Sequence, residues 1–289
     1  MLTIFQHTLS RLRGQILGWG LTFTLIGWYI VAIYDTFFGQ AAQMTELIKN
    51  YPPAMMAFFG EVGNIFTVGG YLDFTLFSYG AVVLCLFAVL MGSGLIVADE
   101  EAGRLDLLQA HPVSRTAFFA GRFWAMVVAI LLVLALTLGG MALVLLNSEL
   151  EVTFWTMTLP FIASWALIML FASFALLLSM VLPSRTLAAS TSSLLLVASY
   201  FVTSLARVIE DLKDAERFSP LHYFQGGYAV EGLKMSWFGG LLLVAALFTL
   251  AAWWAYQRRD LRVGGEGNWQ LPRVNFFPAI RFRTTSRKP

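Results

Sequence analysis

The chain has 289 residues, of which 58% are hydrophobic and only 12% are charged, with a formal net charge of +2. Soluble domains contain roughly 45–50% apolar and about 25% charged residues. The composition therefore excludes an ordinary soluble protein and indicates a membrane protein. The single cysteine, Cys85, lies within an apolar run, so no disulfide can form within one chain and a small packing residue is the favoured interpretation.

Six apolar runs are long enough to cross the membrane as helices, which takes about 20 residues for roughly 30 Å of hydrocarbon. The predicted spans cover residues 15–34, 74–98, 118–146, 158–182, 187–206 and 238–256. We therefore predict an all-α membrane protein. A single transmembrane domain would occupy residues 1–257, followed by a basic tail at 258–289.

The residues before the first predicted span have an amphipathic pattern. Leu2, Phe5, Leu9, Leu12 and Ile16 recur at spacings of three and four, which places them on one helical face. This pattern predicts an amphipathic helix lying along the inner membrane surface. The alternative is that these residues simply extend the first span.

The predicted connections differ in length. The external segment 35–73 contains short apolar pieces that we expect to rest on the outer leaflet. Residues 147–157 form a short loop, so the third and fourth spans should be antiparallel neighbours. Residues 183–185 predict a tight inner turn, and residues 207–237 predict an external elaboration that is partly re-entrant.

The fifth span is unusually rich in hydroxyl groups. Small and hydroxyl side chains allow helices to approach closely and to form hydrogen bonds with each other, which is the simpler interpretation. The alternative is a path for a substrate that carries polar groups. The candidates for such a path are Tyr79, Ser192, Ser199, Tyr200 and Thr203.

The distribution of Lys and Arg predicts the orientation. With a cytoplasmic amino terminus, six spans return the carboxyl terminus to the same side. Of the 19 basic residues, 14 would then be cytoplasmic and only five external, as the positive-inside rule requires. The five are Lys49, Arg207, Lys213, Arg217 and Lys234. For the basic tail, attraction to anionic lipid headgroups is the default interpretation, and contact with a cytoplasmic protein is the alternative.

Several kinds of chemistry have no sequence support. None of the four lysines follows the glycine pattern of a phosphate-binding loop, so we expect this chain not to hydrolyse ATP itself. The centres of the spans lack the charged residues typical of ion-coupled carriers, and no hydrolase motif occurs. His222 is separated from His7 and His111 by the predicted membrane, so no metal site is expected.

The segment 99–122 is a charged island between two long apolar runs. Acidic residues at 99–101 would favour the start of a short helix through its dipole, and Pro112 would limit that helix. Ser114 can cap the helix that becomes the third span. The result would be a compact cytoplasmic helix joined directly to two spans, which could fit a groove on a soluble partner.

The island resembles the type-two permease family of ATP-binding-cassette (ABC) exporters. The residues that carry the resemblance are Glu100, Glu101, Gly103, Leu105, Leu107, Leu108, the run Pro112 to Arg115, Gly121 and Arg122. Arg104 stands where the family usually has threonine. Weaker matches lie at Ser219 to Tyr223 and Arg258 to Leu261.

The resemblance implies a permease of the cell membrane that pairs with a separate ABC ATPase, usually as two permeases with two ATPases. The second permease would be an identical or homologous copy. ATP and magnesium would be bound by the ATPase, membrane lipids would be further partners, and no nucleic acid is expected. The helix 100–111 would be the coupling helix, and the amino-terminal amphipathic helix would be the membrane-surface elbow. The residues assigned to coupling are Glu100, Glu101, Gly103, Arg104, Leu105, Leu107, Leu108, Pro112, Ser114 and Arg115.

The leading hypothesis from the sequence is therefore an exporter permease that moves an amphipathic or hydrophobic substrate such as a drug, an antibiotic or a lipid-like molecule. The alternative is a membrane scaffold or sensor that binds a cytoplasmic protein without transporting anything. An intramembrane enzyme is disfavoured for want of catalytic groups.

Overall fold

The computed structural model describes residues 1–39, 52, 67–103, 113–145 and 152–258. Nine helical elements in these ranges are labelled here. They are α1 (Leu2–Ala32), α2 (Tyr34–Gly39), α3 (Val68–Gly94), α4 (Val97–Glu101), α5 (Arg115–Leu145), α6 (Phe154–Val181), α7 (Arg185–Leu205), α8 (Lys213–Glu216) and α9 (Met235–Arg258). Short 3-10 turns cover Glu210–Leu212, Pro220–Tyr223 and Gly226–Glu231.

Six of these helices, α1, α3, α5, α6, α7 and α9, are long and apolar enough to cross a membrane. Each corresponds to one of the predicted spans, so the six-helix prediction is confirmed. Hydroxyl caps fix three of the starts: Ser114 accepts from the Ala117 amide before α5, Thr153 from Thr156 before α6, and Ser184 from Leu187 before α7.

The first span differs from its prediction. Residues from Leu2 to Ala32 form one uninterrupted helix of 31 residues, about 46 Å long at 1.5 Å per residue. The separate elbow helix is therefore not confirmed, and the alternative, in which the amphipathic residues extend the first span, describes the structure. A Cβ atom on Gly14 or Gly18 would meet nothing within 4 Å, so close packing does not require either glycine.

The second span is displaced from its predicted bounds of 74–98. Helix α3 begins at Val68, where the Thr67 hydroxyl accepts from the Gly70 amide, and it ends at Gly94. A π-helical turn at Asp73–Phe77 lies inside it. Asp73, expected in the external segment, is thus a buried residue of the helix. Residues 40–66 of the predicted external segment 35–73, apart from residue 52, lie outside the described residues, as does the tail from 259.

The core is built around α6, which packs between α3 and α9, while α1 lies along α5. Close approach explains the small residues on these helices. A Cβ atom on Gly140 would overlap the Thr24 side chain, and the Thr24 hydroxyl donates to the Leu136 carbonyl at 2.9 Å. Helices α5 and α6 do contact each other, but α5 packs more extensively on α1 than on its neighbour in sequence.

The segment 206–234 covers the end of the helix bundle opposite the amino terminus. Its Gly226–Glu231 turn packs on α3 and α6. Asp73 Oδ1 accepts from the Gly227 amide at 2.9 Å, and Asp73 Oδ2 accepts from the Ser78 hydroxyl at 2.9 Å. The π-helical turn therefore presents a buried carboxylate that fixes the covering segment to the second span.

Candidate functional site

Three charged residues meet at the end of the bundle where α3 stops and α5 begins. Arg11 of α1 contacts Asp99 of α4 through its Nη1 atom, at 2.7 Å from Oδ1 and 3.0 Å from Oδ2. Arg122 of α5 donates from Nη2 to Asp99 Oδ2 at 2.5 Å. We call Arg11, Asp99 and Arg122 the junction, because they join three separate elements of the chain.

Burial makes this junction rigid. The side chains of Asp99 and Arg122 are only 2% and 5% exposed, whereas that of Arg11 is 49% exposed. Arg122 also donates to the Leu95 carbonyl at 2.5 Å, and its guanidinium lies 4.5 Å from the centre of the Phe118 ring. Removing one partner of a buried ion pair leaves the other charge uncompensated, which is strongly unfavourable. The three elements are therefore held together as one unit.

The contact with Leu95 also satisfies a backbone group at the end of α3. The chain leaves the helix at Leu95 and Ile96, and the Leu95 carbonyl, released from the helical ladder, is satisfied by Arg122. Helix α4 then begins at Val97 and carries Asp99 towards the two arginines.

Asp99 stays ionised at neutral pH. Burial by itself would raise the pKa of this carboxyl group, but hydrogen bonds from Arg11 and Arg122 outweigh that effect. They hold the Asp99 pKa below its ordinary value.

A second link lies beside the junction. Glu101 Oε1 accepts from the Arg185 amide at 2.8 Å, at the first turn of α7. A carboxylate is favourable there because the amino terminus of a helix carries partial positive charge. Helix α4 is thereby connected to the fifth span as well as to the first and third.

The structure describes half of the residues assigned to coupling. Glu100 is buried, Glu101 contacts α7, Ser114 caps α5, and Arg115 donates to the Gln257 carbonyl at 3.2 Å. Gly103 has φ +64°, the left-handed conformation that favours glycine. Arg104, Leu105, Leu107, Leu108 and Pro112 lie outside the described residues.

The predicted start of the coupling helix at Glu100 does not match the structure. Glu100 and Glu101 are the last residues of α4, and the chain turns at Ala102 and Gly103. The acidic residues therefore point back to the bundle, where the arginines are, instead of starting a new helix.

The predicted substrate-path residues fall into two groups. Tyr200 and Thr203 line a cavity of about 810 Å³ at the end of the bundle covered by segment 206–234. Tyr79 lies beside Tyr200, and the Ser199 backbone carbonyl accepts from the Ser219 hydroxyl at 3.2 Å, so Tyr79 and Ser199 border this region. Ser192 does not, because it is buried deeper in α7 and donates to the Ala188 carbonyl within its own helix.

This cavity has a mixed lining of charges and aromatic rings. His222 Nδ1 lies 3.0 Å from Glu216 Oε1, and the Lys234 ammonium lies 4.1 Å from the centre of the Trp237 ring. Thr203 donates to Ser219 at 2.8 Å. Such a surface can contact both polar and apolar parts of a ligand.

Comparison with known proteins decides the family. The family model described as "ABC-2 family transporter protein" matches residues 2–261. The chain belongs to the ABC-2 transporter family. No curated protein matches it. Membership and the six apolar helices make the chain a multi-pass membrane protein of the ABC permease type, and membership implies association with an ABC ATPase subunit.

The junction of this ABC-2 permease was only partly visible in the sequence. The charged island itself stands out because few charges interrupt so apolar a chain. The partners of the island cannot be recognised in this way. Arg11 is 88 positions away from Asp99, and Arg185 is 84 positions away from Glu101. The signal that could have identified the junction is the free-energy cost of burying a charged residue near the end of a span, because such a residue requires a partner of opposite charge.

Proposed function

We propose that the chain is the transmembrane subunit of an ATP-driven ABC exporter. It would move an amphipathic or hydrophobic substrate, such as a drug, an antibiotic or a lipid-like molecule, by alternating access. Two ATPase subunits would bind ATP and magnesium, and a second permease, identical or homologous, would complete the transport path. Both termini would face the cytoplasm, and residues 104–112 would contact the ATPase.

The observation that supports this proposal most is the buried junction beside the charged island. Residues 104–112 are bounded by α4 on one side and α5 on the other, and Asp99 and Arg122 tie these two helices together. Arg11 and Glu101 extend the connection to α1 and α7. A movement imposed on the island would therefore be passed to α1, α5 and α7 at once, and to the end of α3 through the Leu95 carbonyl that Arg122 binds.

Such an arrangement suits work done by a second protein. Packed helices joined by buried ion pairs move as a body instead of deforming, so a displacement at one end is not absorbed locally. Closure of the ATPases on ATP would push the island, and the junction would turn that push into reorientation of the spans.

The large cavity at the opposite end fits the exit of a transport path. Its volume of about 810 Å³ falls within the roughly 300–1,000 Å³ of small-molecule sites. Tyr79, Ser199, Tyr200 and Thr203 would contact the substrate there, whereas Ser192 would act in helix packing.

Purification of the tagged chain from its native membranes tests the proposal. We expect an ABC ATPase to copurify and the complex to hydrolyse ATP.

Replacing Leu105, Leu107 and Leu108 together by serine should abolish copurification. Val208→Ser, which changes an exposed apolar residue at the other end of the bundle, should leave it intact. A complex that survives the triple change would contradict the coupling role. A partner protein without ATP turnover would favour the scaffold alternative.

A further inference from the structure

A small pocket beside the junction has no role in the proposed transport cycle. It lies between α1, α3, α5 and α7, at the end of the bundle where α3 stops and α7 begins, and has a volume of about 170 Å³. The charged side chains that line it among the described residues are Arg11, Arg122 and Arg185, and His7 lies at its edge. No Asp or Glu of the described ranges belongs to the lining.

Three arginines line the pocket, and the carboxylates of Asp99 and Glu101 contact them from outside its lining. Asp99 carries a single charge and accepts from both Arg11 and Arg122. The Arg122 side chain is almost completely buried, yet its Nε atom has no hydrogen-bond partner in the part of the chain that the structure describes. Buried donors without partners are rare, and each requires an explanation.

Arg185 is the freest of the three. Its guanidinium packs over Gly94, where a Cβ atom would lie 2.8 Å from Nε. Within the described ranges, Arg185 makes one hydrogen bond, from its backbone amide to Glu101, and its guanidinium has no acceptor. A planar group with five donors thus lies at the pocket wall, and no acceptor for it occurs among the residues that the structure describes.

The remainder of the lining is mixed: Thr8 and Gln15 of α1 are polar, and the apolar residues form a surface that continues towards the hydrocarbon. Leu12, Leu90 and Met91 lie on one side, and Leu90 is 52% exposed on the outer surface of the bundle. The pocket therefore combines a basic wall at the ends of the spans with an apolar surface along them. A phospholipid has the same two parts in the same order.

We propose that this pocket binds the phosphate group of an anionic phospholipid, with the acyl chains lying against Leu90. Arginine matches phosphate geometry through paired N–H donors. Basic pockets between membrane helices are known to accept acidic headgroups. The volume is too small for a drug-sized ligand, which needs roughly 300 Å³ or more, but it accommodates one phosphate group. The proposal goes beyond the transport function and requires only that the chain lies in a membrane.

Native mass spectrometry of the full-length chain in detergent tests this proposal. The probes are dioleoyl phosphatidylglycerol, which is anionic, and dioleoyl phosphatidylcholine, which has the same acyl chains and no net charge. We expect the anionic lipid to be retained preferentially. Arg185→Gln should weaken its binding about tenfold, as expected for the loss of charge-assisted hydrogen bonds. The matched control is Arg13→Gln, which removes an exposed arginine of α1 outside the pocket.

A second variant separates the pocket from general charge. Ala98→Leu adds bulk to the lining while leaving all three arginines in place, so it should also reduce retention of the anionic lipid. Unfolding temperatures of both variants establish that they are folded. Equal retention of the two lipids, or an equal effect of Arg185→Gln and Arg13→Gln, would overturn the proposal.

A third probe, glycerol 1-phosphate, distinguishes a soluble phosphate ligand from a lipid headgroup. If glycerol 1-phosphate binds as tightly as phosphatidylglycerol, and if that binding is lost in Arg185→Gln, the ligand is a soluble phosphate compound and the assignment to lipid is wrong. Failure of glycerol 1-phosphate to bind at millimolar concentration, with the lipid still retained, supports the membrane source.

Discussion

A Cβ atom on Gly92 would overlap the carbonyl oxygen of Ala172 and lie 3.1 Å from its carbonyl carbon. Helices α3 and α6 thus meet backbone to backbone close to the end of α3. In a membrane, where the hydrophobic effect does not drive helices together, such contact is a main source of association. The neighbour is backbone and cannot move aside as a flexible side chain could.

Gly92→Ala should therefore destabilise the bundle. We expect a loss of about 1–3 kcal/mol in the free energy of unfolding, the usual cost of overpacking a core. Tryptophan fluorescence during unfolding in mixed detergent micelles would measure it. The matched control is Gly139→Ala in α5, where a Cβ atom meets nothing within 4 Å. An unchanged stability in Gly92→Ala would show that the two helices can separate at no cost.

The junction predicts that a single substitution at Asp99 strongly lowers the free energy of unfolding. Asp99→Asn keeps the shape of the side chain but leaves the buried Arg122 charge uncompensated, at a cost of about 3–5 kcal/mol. The same unfolding measurement checks this. Glu210→Gln is the control, because the Glu210 side chain is 88% exposed in its ion pair with Lys213 and such pairs contribute little.

A double variant tests the cause. Asp99→Asn combined with Arg122→Met removes both buried charges, and we expect it to recover much of the stability that the single variant loses. If the double variant is as unstable as the sum of two single variants, the ion pair is not the source of the loss.

The ion pair between Asp99 and Arg122 also predicts how the free energy of unfolding depends on pH. Because the Asp99 pKa is lower in the folded protein than its ordinary value of 3.8, the stabilisation by its carboxylate is fully present at neutral pH. It is lost only as the pH falls below about 3.8 towards the folded value. The difference in unfolding free energy between the wild type and Asp99→Asn should therefore be constant from pH 8 to 5 and shrink below pH 4. A difference that already shrinks between pH 7 and 5 would contradict a lowered pKa.

The six spans were predictable because crossing hydrocarbon requires a long apolar helix, and local sequence alone records that requirement. The cap at Ser114 was predictable for the same reason, because it too depends on local sequence. The junction was not, since Arg11 and Asp99 meet only after α1 has packed along α5. The bounds of α3 were missed because Asp73 reads as an external acid, although in the structure it is buried and serves as an acceptor for Gly227.

The predicted substrate-path residues also show which features local sequence predicts and which depend on packing. Hydroxyl content identified α7 as unusual, but it could not separate Tyr200, which lines the cavity, from Ser192, which bonds its own helix. Which face of a helix borders a cavity depends on the segment that closes the cavity. In this protein that segment is 206–234, whose position depends on Asp73.

The contact between Asp73 and Gly227 predicts how that segment is held. A Cβ atom on Gly227 would overlap the Asp73 amide nitrogen and lie 2.5 Å from the Gly69 carbonyl oxygen, both of which are backbone atoms. Gly227→Ala must therefore displace the Gly226–Glu231 turn from α3 and break the hydrogen bond to Asp73. Hydrogen exchange of residues 219–234 should rise, because locally opened backbone exchanges faster.

Gly239→Ala provides the matched control, since Gly239 lies in the first turns of α9 and a Cβ atom there meets nothing within 4 Å. Exchange in this variant should equal that of the wild type. Asp73→Asn is the complementary change. It keeps a side-chain oxygen that can accept from the Gly227 amide, so its effect should be smaller than that of Gly227→Ala. Equal protection in Gly227→Ala and Gly239→Ala would mean that the covering segment is held by its contacts with α6 and not by the second span.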